Sequence, residues 1–371
     1  MRHFTFFYRL IIIFLAALAA MLLGAAVLLA VGADVPRVYT VILTEPLKNL
    51  SLICEVLIRA IPLTIIALGI SVAYRCGIIN IGAEGQMAMG ILAAAAVSLA
   101  LPDLPRPLLL PLALLAGTAG GALWGLIPGL LRAKLAVSEL LSTVMLNYIA
   151  AQFYTFCLRG PMLDPAELTM GSGTPQTMRL TRNIWLDRII PGTRLHTGLF
   201  LALALGAAIY LLLWKTTWGY KMRASGAQER AARYGGINVS LWLVISIVLS
   251  GAFAGLAGAV ETAGVHRRAI EGITGGYGFS AIVVALFGGL HPAGIIPAAF
   301  FFGLLLVGAD MTQRMVGVPA NMVQVLQGII ILVIVAAKMI LANPYLTERV
   351  RRAWESGGGT KNNAKTGEVP G

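Results

Sequence analysis

Three stretches of this 371-residue chain hold side chains whose types and spacing could do chemistry. Residues 74–90 read YRCGIINIGAEGQMAMG and carry Asn80, Glu84 and Gln86 among Gly77, Gly82, Gly85 and Gly90. Residues 137–156 read VSELLSTVMLNYIAAQFYTF; Glu139, Thr143 and Asn147 recur every four residues with Ser142 beside them, so they share one helix face. Residues 215–240 read KTTWGYKMRASGAQERAARYGGINVS, a polar passage with an alanine-rich middle. Amides, hydroxyls and carboxylates of this kind can hydrogen-bond an uncharged, hydroxyl-rich solute such as a nucleoside or sugar. The lack of basic residues among Asn80, Gln86, Ser142, Thr143 and Asn147 disfavours a phosphorylated solute, and a branched-chain amino acid stays open. Alternatively Glu84, Glu139 or Glu261 could relay protons.

Covalent chemistry has no comparable support. No G-x-x-x-x-G-K-[ST] loop is present to cradle nucleotide phosphates, since GGGTK in the tail lacks the spacing and a preceding strand. There is no HExxH and no GxSxG, and His3, His196, His266 and His291 are scattered, which leaves an intramembrane enzyme a distant third reading. Cys54, Cys76 and Cys157 lie in or beside apolar runs without metal-like spacing, as small buried hydrophobes do.

The elements that must position these residues are set by composition. Hydrophobic residues make up 58% of the chain, charged residues 12%, and the mean hydropathy is +0.83, well outside the range of a soluble domain. The net charge of +12 suits lipid headgroups and topology better than nucleic acid, because the basic residues lie between apolar runs without forming a stripe. The expected fold is an all-α polytopic membrane protein of about ten transmembrane helices: residues 10–32, 53–73, 87–101, 108–131, 137–156, 198–214, 241–265, 279–290, 294–308 and 322–341. The first is read as a retained helix, with a cleaved signal as the alternative. Residues 33–48, with Pro36 and Pro46, are expected to be extended, and the short turn at 74–76 should make the second and third helices antiparallel neighbours.

An ionisable side chain at membrane depth must face protein or water, and glycines let a helix unwind there. Residues 80–86 therefore read as a broken helix lining a polar path, the alternative being a membrane-face residue with packing glycines. The Glu139, Thr143, Asn147 stripe lines a path or hydrogen-bonds between helices, and spacing does not choose. Glycines 117, 121 and 125, four apart, are read as a packing face. Residues 266–280, HRRAIEGITGGYGFS, interrupt hydropathy as residues 74–90 do. Helices two to five and seven to ten would then form an inverted repeat, with both chain ends and residues 215–240 on one side.

Taken in order, GIINIGAEGQMAMG, SELLSTVMLNYIA, MRASGAQERAARYGGINV and GYGFSAIVVALFGG resemble the permease subunits of bacterial ABC importers for nucleosides and simple sugars, a group related to branched-chain amino acid and ribose-type permeases. Ribose-type relatives read closer to GGIDLSVG in the first motif, so Asn80, Gly82, Glu84 and Gly85 tilt toward the nucleoside branch. The resemblance implies a multi-pass subunit of the bacterial plasma membrane with both termini cytoplasmic. It implies a second permease, homologous but different, a cytoplasmic ABC ATPase that holds ATP and magnesium, and an extracytoplasmic solute-binding protein; the chain itself would hold no cofactor or metal. Asn80, Glu84, Gln86, Glu139, Ser142, Thr143, Asn147 and Tyr277 are expected along the substrate pathway, since carboxylates and amides on separate helices are best accommodated in shared polar space. The ATPase-coupling helix would span residues 224–233, with Arg223, Ala224, Gly226, Glu229, Ala231, Ala232 and Gly236 at the contact. Residues 1–345 would form one transmembrane domain, with a coupling loop at 215–240, an extracytoplasmic loop at 159–196 and a basic, disordered cytoplasmic tail at 346–371. A self-sufficient secondary transporter or channel is the competing class.

Overall fold

The computed structural model describes residues 2–171 and 173–318, and single positions 322, 325, 326, 328, 329, 332, 333, 336, 337 and 348 beyond them. Much of the expected tenth helix and nearly all of the expected tail lie outside the described residues. The chain forms two compact units, Met1–Val41 with Ala309–Gly371, and Ile42–Gly308.

In the first unit α1 (Arg2–Ala30) is the expected opening helix. The passage expected to be extended is instead α2 (Val35–Thr44) followed by a 3-10 turn at Glu45–Leu47. Pro36 and Pro46 fall in the first turn of each, where a missing N–H would have had no partner anyway, so neither blocks the helix. The hydroxyl of Tyr39 donates to the carbonyl of Met21 at 2.6 Å, in the space left by Gly24.

The second unit contains α3 (Leu50–Arg75), α4 (Ala83–Ala100), α5 (Arg106–Leu135), α6 (Glu139–Arg159), α7 (Glu167–Met170), α8 (Gly198–Lys215), α9 (Thr217–Ala227), α10 (Glu229–Tyr234) and α11 (Val239–Glu261), then α12 (Tyr277–Phe287) and the part of α13 (Pro292–Val316) up to Gly308. A π turn, Thr262–His266, extends α11. Among the described residues seven helices are long and apolar enough to cross a membrane: α3, α4, α5, α6, α8, α11 and α13. α12 has 11 residues and rises only about 17 Å, against a hydrocarbon core of about 30 Å. The three cysteines are free and buried, as expected.

The expected pairing of α3 with α4 does not form, because α11 lies between them and packs on both. Glycines make that insertion possible. A Cβ on Gly69 of α3 would sit 2.6 Å from Phe253, and one on Gly90 of α4 would sit 2.3 Å from the Cα of Gly255. The packing face of α5 meets the same helix: a Cβ on Gly255 would stand 2.2 Å from the carbonyl oxygen of Gly117, and one on Gly121 2.2 Å from that of Gly251. Backbones this close gain dispersion contacts that lipid cannot match, which is what holds helices together without a hydrophobic drive.

Helices α3 and α11 run in opposite directions. α3 starts near the 160–197 loop, where Glu55 pairs with Arg194, and ends at Arg75. α11 starts after α10 and ends beside that loop, where Ala263 accepts from Leu186. α4 and α12 both start inside the unit and diverge. α4 runs to the loop, where Leu104 accepts from Asn183, and α12 runs to Arg75, which donates to Gly289 and Leu290. α3 packs on α12 as α11 packs on α4, the crossed arrangement of an inverted repeat.

Candidate functional site

The backbone leaves the helix at Cys76 and rejoins it at Ala83, so the unwound segment is 76–82, and Glu84 and Gln86 already belong to the first turn of α4. Gly77 turns the chain with a φ of 86°, a conformation glycine alone adopts without strain. The segment then returns to mid-depth. Asn80 bonds to Ser250, which stands eleven residues beyond Val239 in α11, about 17 Å along the helix.

Asn80 is fully buried and uses both ends of its amide. Its Nδ2 donates to Gln86 Oε1 at 2.8 Å and to Ser250 Oγ at 2.9 Å, and its Oδ1 accepts from the N–H of Gly82 at 2.9 Å. From the other side Asn147 of α6 donates to the carbonyl of Ile81 and accepts from the N–H of Gly85, both at 2.9 Å. Three helices thus close the hydrogen bonds that an unwound membrane segment would otherwise leave open. Of the polar stripe, Thr143 packs beside Gly82, while the hydroxyls of Ser142 and Thr143 bond back to the carbonyl of Glu139. Glu139 lies apart, 3.3 Å from Arg132 at the end of α5. The structure turns Asn80, Gln86, Thr143 and Asn147 toward one another, and the other face of α6, with Leu141, Met145 and Tyr148, is exposed.

A second cluster forms around Glu84. Its Oε1 accepts from the N–H of Gly276 at 3.0 Å and its Oε2 from that of Gly278 at 2.7 Å, so the carboxylate caps the positive end of α12. Tyr277, between those two donors, is buried, and Arg59 Nη1 donates to its hydroxyl at 3.1 Å. Sequence reasoning missed Arg59 and Ser250. Arg59 did carry a signal, an ionisable residue inside the 53–73 apolar run, and Ser250 adjoins Gly251 in the α11 packing face.

The expected single helix over 224–233 is two helices, α9 and α10, because Gln228 is extended between them at φ −160° and ψ 103°. Gly235 and Gly236 end α10 and Asn238 caps α11 through Leu241 N–H. Gly226 lies against the backbone of 75–77: a Cβ there would be 2.3 Å from the carbonyl oxygen of Arg75. Ala224 accepts the N–H of Gln228 and Ala231 that of Gly235; Ala232 is buried, Glu229 pairs with Arg233, and the Nε of Arg223 is buried without a hydrogen-bond partner. Among the described residues no three His, Cys, Asp or Glu side chains are grouped to hold a metal ion.

The sequence is similar to those of named transport proteins. The chain is 34% identical over 335 residues to the glucose ABC transporter permease protein TsgB13 of Haloferax volcanii, covering 87% of this chain and 86% of that one. It is 34% identical over 333 residues to the guanosine ABC transporter permease protein NupP of Bacillus subtilis, covering 90% and 94%. A second protein of that organism, the guanosine ABC transporter permease protein NupQ, is 30% identical over 259 residues, 67% of this chain and 78% of that one. Residues 52–335, which hold the unwound segment, both glycine packing faces and the α9–α10 passage, match the family described as the branched-chain amino acid transport system permease component, and the chain belongs to that family.

Proposed function

We propose that this permease is one membrane subunit of an ATP-driven importer for nucleosides or simple sugars, paired with a second, homologous permease. The observation that carries the reading is the likeness to NupP along nine-tenths of the chain, together with the match of NupQ from the same organism: two different permeases for one named solute, both similar to this chain. ATP and magnesium are held by a separate ATPase, and a solute-binding protein delivers the solute to the opposite face. The α9–α10 passage meets the ATPase on the cytoplasmic side, where both chain ends also lie, and the 160–197 loop is extracytoplasmic. The polar network of Asn80, Gln86, Asn147 and Ser250, with Thr143 packed on Gly82, braces the unwound segment beside the pathway; Glu84 and Tyr277 brace its α12 side, and Ser142 and Glu139 stand at the start of α6 along the same pathway.

Two of the three candidate relay carboxylates are engaged, Glu84 by two N–H donors and Glu139 by Arg132, which weighs against a lone proton-driven carrier through them. The test is reconstitution into liposomes with and without co-expressed ATPase and second permease. Uptake of labelled guanosine or glucose should require both partners and ATP. Uptake by the lone chain driven by a proton gradient would overturn the reading.

A further inference from the structure

Three arginines of the loop face, Arg179, Arg182 and Arg267, stand around one indole, and a fourth, Arg188, lies close enough to Arg267 to act on its charge. The guanidinium carbons of Arg267, Arg179 and Arg182 lie 3.9, 4.8 and 5.8 Å from the ring centroid of Trp185. Among the described residues none of the four forms an ion pair with a carboxylate. The nearby Asp187 is engaged by Arg106 at 2.5 Å. The Nε of Arg267 is buried with no hydrogen-bond partner, and its backbone is held in the left-handed region at φ 60°. Burial and the neighbouring Arg188, Arg179 and Arg182 hold that guanidinium below its ordinary value. An indole face attracts cations but carries no charge, so the cluster keeps a large uncompensated positive potential.

Its place in the fold narrows what answers that potential. Arg106 donates to the carbonyl of Trp185, and Asn183 donates to that of Leu104, which fixes the cluster at the N-terminal end of α5. α5 is long and apolar enough to span a membrane, and Leu108, Leu112 and Leu115 form one exposed stripe in its first turns. A tryptophan ringed by arginines at the end of a spanning helix is the composition of a membrane interface. Charge at the helix end and an apolar stripe below it match a ligand that carries both a phosphate and acyl chains. We infer that this cluster binds the headgroup of an anionic phospholipid, with its chains along the Leu108, Leu112, Leu115 face. A free phosphate or an acidic protein surface answers the charge and leaves the stripe unused.

The test uses the purified full chain, stripped of lipid in detergent, with phosphatidylglycerol, phosphatidylcholine and inorganic phosphate as probes. Native mass spectrometry counts bound lipid, and a thermal shift reports its effect. Phosphatidylglycerol should bind and stabilise, phosphatidylcholine and phosphate should do neither, and added salt should weaken the binding. Arg179→Gln with Arg182→Gln, both at exposed positions, should weaken phosphatidylglycerol binding by about tenfold or more. Arg230→Gln, on the exposed surface of α10, should leave it unchanged, and gel filtration of both variants verifies folding. Four results overturn the inference: equal binding of the two lipids, a phosphate shift as large as that of phosphatidylglycerol, equal losses in the two variants, or a double variant that keeps the lipid while losing an acidic solute-binding protein.

Discussion

The carboxylate of Glu84 and the amide of Gly278, 194 residues apart in sequence, meet at 2.7 Å and join the starting ends of α4 and α12. The approach is so close that a Cβ on Gly278 would lie 2.3 Å from the backbone nitrogen of Glu84. The two helices of the crossed repeats are therefore tied at one point inside the unit, by an anion placed where the helix dipole of α12 is positive.

Removing that tie should cost stability in a graded way. Glu84→Ala leaves the N–H groups of Gly276 and Gly278 without an acceptor and should destabilise by about 2–4 kcal/mol; Glu84→Gln keeps one oxygen and should lose less. Thermal unfolding in detergent measures both, and an Ala variant as stable as the parent would remove Glu84 from the joint.

Asn147 supports the unwound segment from α6. Asn147→Leu strips the carbonyl of Ile81 and the N–H of Gly85 of their partners, for a loss of about 1–3 kcal/mol. In a background without Cys54, Cys76 and Cys157, a cysteine at Thr143 should resist small water-soluble thiol reagents in the resting protein, since that position is fully buried. Rapid labelling there would show that the segment opens to water.

The interlock of α5 with α11 leaves no room for a side chain. Gly255→Val should force the helices apart and lower the yield of folded protein, since overpacking a tight contact costs about 1–3 kcal/mol or more. Ala119→Leu, on the exposed side of α5, is the control and should be neutral. Equal yields of both variants would contradict the close packing.

Gly226 presses on the backbone that enters the unwound segment, so even a methyl group there must shift that backbone. In the assembled importer Gly226→Ala should leave ATP hydrolysis in place and lower uptake per ATP by about two- to thirty-fold, the range of coupling changes made by residues between two sites. Unchanged uptake per ATP would separate this contact from transport.

His196, in the loop before α8, is fully buried; burial pushes its pKa below the ordinary 6.5, only partly opposed by Glu261. Its Nδ1 accepts the N–H of Gly198 at 3.2 Å. The unfolded chain takes up the proton first, so this contribution to stability is complete above pH 6.5 and declines as pH falls below it toward the folded value. The unfolding temperature should therefore drop between neutral and mildly acidic pH, and drop less in His196→Gln. Parallel pH profiles would assign the acid sensitivity elsewhere.

Much of this was legible in the residues alone. Apolar runs became spanning helices because lipid offers no other partner for the backbone, and residues 117, 121 and 125 became a packing face because only glycine permits that approach. The tertiary structure alone decided which surfaces meet. Spacing assigns Thr143 and Asn147 to one face of α6, yet a polar face turned to water and one turned to Ile81 and Gly85 have the same sequence pattern. The insertion of α11 between α3 and α4 likewise overrode the short turn that argued for their pairing, because glycines on three helices made close backbone packing more favourable than adjacency in the chain. A carboxylate at membrane depth announces that it needs a partner; that Glu84 finds it in the N–H groups of Gly276 and Gly278 follows only from where two distant helices begin.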